Sequence, residues 1–135
     1  MSESDNIEKF FEKNKSIHIK ILDYLDNEEN PEEGFENLNK IFEETKIRYC
    51  QHDMRLFLHM LIKISNHHHR GPDFYTKIFR VLCLFIDDIK KYQNSRIFNI
   101  FKENKRILLF LIEEKILVVD DYVVKQIIKD KYLIK

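Results

Sequence analysis

Apolar residues recur at every third or fourth position along most of the chain, the spacing of one face of an α-helix. Ile7, Phe10, Phe11, Ile17, Ile21, Leu22 and Leu25 follow it, with Asn14 and His18 completing the stripe, and predict a first helix from about Asp5 to Leu25. Asn30 then offers an N-cap, Pro31 suits the first helical position, and Glu33 is placed to close a capping box. The second helix carries Phe35, Leu38, Ile41 and Phe42 on one face and fades near Lys46. A third, about Gln51 to Ser65, has Met54, Phe57, Leu58, Leu61 and Ile64 on one face; Leu56, Met60 and Ile62 widen it until little polar surface remains. Such a helix is expected to be central.

The stretch SNHHHRGPDF ends that helix, because Pro72 disfavours helical backbone at Gly71, and Asp73 is placed to cap the next one. A fourth helix, about Asp73 to Tyr92, shows Phe74, Ile78, Val81, Leu82, Phe85 and Ile89 on one side and Phe79, Cys83 and Ile86 on another. Beyond Asn94 a short helix holds Ile97, Phe98, Ile100 and Phe101; Asn104 caps KRILLFLIEEK, and Asp120 or Asp121 caps YVVKQIIKDKYLI. ILLFLI and ILVV alone read equally as strands, but the Asn cap and the Glu113–Glu114 tail favour helix. The predicted fold is all-α, with stacked antiparallel helix pairs in an α-solenoid-like arrangement.

Composition agrees. The chain has 135 residues, 44% hydrophobic, with Gly 2 and Pro 2, which fits one helical domain over 1–135: acidic lead-in helices at about 5–46 and a helical core at about 51–135. The net charge is zero but uneven, since residues 1–45 hold 13 acidic and 5 basic side chains and the rest hold 10 and 18. Nucleic acid is not the expected partner, because no basic cluster is interleaved with aromatics and Gly. Cys50 and Cys83 are too few for a disulfide scaffold, and the N-terminus lacks a basic segment leading into an apolar run, so a cytoplasmic (intracellular) location is expected. The longest apolar run, Ile107 to Ile112, is far below the roughly 20 residues of a membrane helix, and no membrane association is expected.

Little in the chain suggests chemistry. His67, His68 and His69 are weak metal candidates: adjacent rings diverge, and a closed zinc site needs four ligands at about 2.0–2.3 Å. His52 and His59 share a face of the third helix with Cys50 near its start, yet nothing requires convergence. The plainer account is a turn at the carbonyl end of a helix, where cationic side chains are favoured. No nucleophile elbow, phosphate-cradling Gly loop or HExxH pattern is present, so no catalytic residue, cofactor or enzymatic activity is predicted. Cys83, within an apolar face, reads as core.

The string ISNHHHRGPDF, and IFNIFKENKRILLFLIEEKIL with DYVVKQIIKDKY after it, resemble the N-terminal helical region of the large ankyrin-repeat protein family of trichomonad protists, over roughly residues 47–135. That resemblance implies a helical segment preceding ankyrin repeats used for protein binding. No TPLH-type ankyrin signature occurs, so the chain is expected to be a fragment or a short member. The expected function is a non-enzymatic protein–protein interaction or scaffold module with an unidentified protein partner. The alternative is a metal- or nucleic-acid-binding regulatory domain using the His67–His69 turn and the basic second half. Ile127, Ile128, Tyr132, Leu133 and Ile134 interleave with lysines and form the candidate interaction surface, through which the C-terminal helix pair would dock a partner or a second copy.

Overall fold

The computed structural model describes residues 3–26, 29–45, 51–67, 73–92 and 94–120, and these form eight α-helices and no strand. Two compact units divide the chain, Met1–Phe85 and Ile86–Lys135. Among the described residues no helix is long and apolar enough to cross a membrane.

The first unit holds α1 (Glu3–Lys13), α2 (Lys15–Asp26), α3 (Pro31–Thr45), α4 (Gln51–His67) and α5 (Phe74–Cys83). The single helix expected over Asp5–Leu25 is therefore two. Asn14 breaks it: its backbone N–H and its side-chain amide both donate to the Phe10 carbonyl, at 2.9 and 3.0 Å. Its own carbonyl accepts from Ile17 and His18 at 3.1 and 3.2 Å. The four-residue ladder bonds persist through Asn14, and what marks the break is the extra three-residue bond from Ile17 and the side-chain amide that shares the Phe10 carbonyl. The break lets α1 pack on α4 while α2 packs on α3 and α5.

The start of α3 follows the sequence pattern with one change. Asn30 Oδ1 accepts from the Glu33 N–H at 3.3 Å, as a cap should, but the Glu33 carboxylate accepts from Asn30 Nδ2 at 3.0 Å instead of from the cap's backbone. Gly34 sits where α3 meets α2: a Cβ there would lie 3.3 Å from Tyr24 Cδ1 and 3.4 Å from Tyr24 Cα. The missing side chain allows that close approach.

α4 is the central helix that its composition predicts, with Met54, Leu56, Phe57, Leu58, Met60, Leu61, Ile62 and Ile64 all buried. Ser65, also buried, is satisfied by donating to the Leu61 carbonyl at 2.8 Å. Phe42, Phe57 and Phe85 form the aromatic centre, each fully buried. Phe57 and Phe85 stack at 4.8 Å, and Phe42 meets both edge-on at 5.0 and 5.1 Å. These are the offset and edge-to-face arrangements that the ring quadrupole favours.

The fourth predicted helix also divides, into α5 and α6 (Ile86–Tyr92). At the end of α5 the Leu84 and Phe85 N–H groups donate to Val81 and Leu82, three residues back, so the last turn tightens and stops. Two expectations change here. Asp73 occupies the N-cap position but makes no side-chain capping bond. Cys83, read as core, is exposed, and Phe79 and Ile86 on the same predicted face are only half-buried.

The second unit holds α6, α7 (Ser95–Phe101) and α8 (Lys105–Glu113), with α7 packed on α8. Asn94 and Asn104 are both true N-caps, each accepting through Oδ1 from the backbone N–H three residues on, at 3.0 Å. α8 buries Ile107, Leu108, Leu109 and Leu111, while Phe110 and Ile112 are half-buried. It ends in a Schellman motif: the Ile116 N–H donates to Leu111 at 2.8 Å and the Lys115 N–H to Ile112 at 3.0 Å, with Lys115 left-handed at φ 58°.

Candidate functional site

Of the histidine triplet, His67 is described: it is exposed on the last turn of α4. His68 and His69 lie outside the described residues, as do Cys50 and the proposed interaction surface of Ile127, Ile128, Tyr132, Leu133 and Ile134. Among the described residues no three His, Cys, Asp or Glu side chains converge as a metal site. His52 is exposed and within 3.3 Å of the Arg55 guanidinium, and His59 is half-buried.

His67 instead lines a surface cleft of about 350 Å³ with Lys63 and Ile64 of α4, Phe11 of α1 and His18 of α2. Lys63 and His67 stand four residues apart, so helical geometry places both on one face of α4. Phe11 and His18 lie on either side of the Asn14 break, and the imidazole meets the phenyl ring edge-on at 5.1 Å and 89°. Lys63 Nζ is 5.8 Å from the centre of the same phenyl ring. The cleft thus has an apolar floor, Phe11 and Ile64, and a rim of nitrogen donors. Sequence reasoning placed Phe11 and His18 in a core stripe and passed over Lys63; the one available signal was an imidazole seven residues from a phenylalanine on an amphipathic helix.

Two other polar assemblies occur in the first unit. A groove of about 430 Å³ is lined by Lys20, Asp23 and Asp26 of α2 and Glu33, Gly34 and Asn37 of α3. Its acidic side chains are the solvated edges of two helices that Gly34 allows to approach. The second assembly is a staple. Arg80 on α5 meets Glu32 on α3 through two 2.8 Å contacts and lies 3.9 Å over the Phe35 ring. Burial holds the Tyr24 phenol above its ordinary pKa, and the nearby Arg80 guanidinium opposes that rise without cancelling it. The Glu32 carboxyl is held below the usual range by its hydrogen bond from Arg80. Lys77 Nζ donates to the Tyr24 and Leu25 carbonyls at 3.1 and 3.3 Å, satisfying the C-terminal end of α2. Every polar group in this assembly is engaged in joining α2, α3 and α5, which is a structural task.

No protein-family model, curated protein or solved structure matches the chain.

Proposed function

We propose that the chain is a non-enzymatic protein–protein interaction module whose contact site includes the cleft between α1, α2 and α4. The observation that carries this reading is the cleft's lining, the half-buried Phe11 ring and the buried Ile64, beside the donors His18, Lys63 and His67. Recognition surfaces combine these two components, apolar area for affinity and a few placed polar groups for orientation. A solenoid-like stacking of helix pairs belongs to the same proposal; the packing of α2 on α3 and of α7 on α8 supports it. The resemblance to helical regions that precede ankyrin repeats points in the same direction.

Selection of displayed random peptides on the full chain tests the reading. Enriched peptides are expected to shift the backbone amide resonances of Phe11, His18, Lys63 and His67. Failure to enrich any sequence, or enrichment that maps to another face, overturns it.

A further inference from the structure

We infer that the cleft between α1, α2 and α4 takes an acidic peptide segment in which an Asp or Glu adjoins a large apolar side chain. This rests on the interaction-module reading and names the partner chemistry of the same site. Charge complementarity is the first argument. Lys63 is cationic, His18 and His67 are nitrogen donors, and no carboxylate stands among the described residues that line the cleft. Lys63 and His67, one turn apart on α4, can share the two oxygens of one carboxylate.

The floor is the second argument. Phe11 is half-buried and keeps apolar surface open beside the donors, whereas Ile64, 2% exposed, adds almost none. A bare anion would leave the open part of the Phe11 ring in contact with water, whereas a Phe or Leu side chain beside the carboxylate covers it. The position of the cleft bears on which anion fits: it adjoins the last turn of α4, whose carbonyl end carries partial negative charge and opposes any anion, a compact dianion such as phosphate more than a single carboxylate, so Lys63 must outweigh it. The cleft lies at the surface, so a small free carboxylate would be only partly covered, whereas a peptide adds backbone and neighbouring side-chain contacts.

The probe is a short fluorescein-labelled peptide alternating Asp or Glu with Phe and Leu. Three companions accompany it: a version with Asn and Gln replacing the acids, a version with Ser replacing Phe and Leu, and inorganic phosphate as competitor. Binding to the full chain is read by fluorescence anisotropy and mapped by amide shifts. The acidic–apolar peptide is expected to bind at Phe11, His18 and Lys63. Affinity should fall roughly tenfold for the amide version, and by a similar factor for Lys63→Glu and Lys63→Met, as expected when one partner of a charge pair is removed. Lys63 is exposed, so both variants should keep the fold, checked by thermal melting. If the amide peptide binds the cleft equally well, the acidic specificity is wrong while the interaction-module reading stands. Equal binding by the Ser version, or full displacement by phosphate at equal concentration, replaces the peptide with a simple anion and overturns the inference. If every peptide leaves the cleft resonances unmoved, the inference fails and the proposed function loses its site as well.

Discussion

Arg80 and Glu32 face each other as a planar pair, Nη1 on Oε1 and Nη2 on Oε2, both at 2.8 Å. The fork geometry makes two parallel charge-assisted bonds, and the Phe35 ring beneath the guanidinium fixes its plane. Because Glu32 titrates below its ordinary value, its contribution to stability is fully present above the unfolded carboxylate pKa and is lost as pH falls through the lowered folded value. The Arg80 and Glu32 side chains are 38% and 68% exposed, so solvent screens the pair and the contribution is small. Thermal melts of the parent and Glu32→Gln should show a modest gap at pH 7 that closes on acidification and narrows in high salt. A gap that persists unchanged at acid pH would count against the assignment.

Arg80→Lys tests the same pair differently. A lysine keeps the charge but cannot make the fork or lie flat on Phe35. The variant should melt nearer to Arg80→Ala than to the parent; equality with the parent would reduce the contact to a simple ion pair.

The aromatic centre predicts a larger effect. Phe57 is fully buried and touches Phe42 and Phe85. Phe57→Ala should cost about 3–5 kcal/mol in denaturant unfolding, because the cavity adds to the lost transfer free energy. Phe57→Leu should cost clearly less, since Leu refills most of the volume. Equal losses for the two would mean that ring geometry, not packing volume, holds the centre.

How much of this was legible depended on the range of the interactions involved. The starts of α3, α7 and α8 were readable because Asn30, Asn94 and Asn104 encode their caps within three residues of sequence. The central role of α4 was readable from its near-continuous apolar surface. The breaks at Asn14 and Leu84 were not, because the apolar spacing runs on past both, and the interruption shows only in three-residue bonds from Ile17, Leu84 and Phe85 and in the Asn14 side-chain bond to Phe10. The exposure of Cys83 was hidden for a related reason: an apolar position on a helix is covered only where another element packs. The cleft was illegible, since His18 and His67 come to line it only through the packing of α1 on α4 and of α2 on α1. His67 itself stood out in the triplet, but its companions did not.

The two asparagine caps in the second unit provide an internal comparison. Asn104 is buried at 6% exposure, whereas Asn94 is exposed, although their bond lengths match at 3.0 Å. Asn104→Ala should cost about 1–2 kcal/mol, because the Ile107 N–H would be left without its acceptor away from water. Asn94→Ala should cost less, since water can replace the lost acceptor. Hydrogen exchange at Ile107 and Ile97 reads the two sites separately, and a larger loss of protection at Ile97 would reverse the expected order.

Lys115 gives the most decisive test of local backbone physics. It holds φ 58° at the turn after α8, in the left-handed region where an L side chain crowds its own carbonyl. The conformation persists because the Schellman bonds to Leu111 and Ile112 satisfy carbonyls that the helix end would otherwise leave open, and because Ile116 and Leu117 beyond it are buried. Glycine has no Cβ to crowd, though it loses more chain freedom on folding. Subtracting that loss from the relief of strain, Lys115→Gly should stabilise the chain by about 0.5–1 kcal/mol, and Lys115→Val, β-branched and least tolerant of positive φ, should destabilise it. Denaturant midpoints of the two variants are expected to move in opposite directions from the parent. A fall in both would mean that the lysine side chain makes a contact worth more than the backbone strain; a rise in both would mean that the turn is not left-handed in solution.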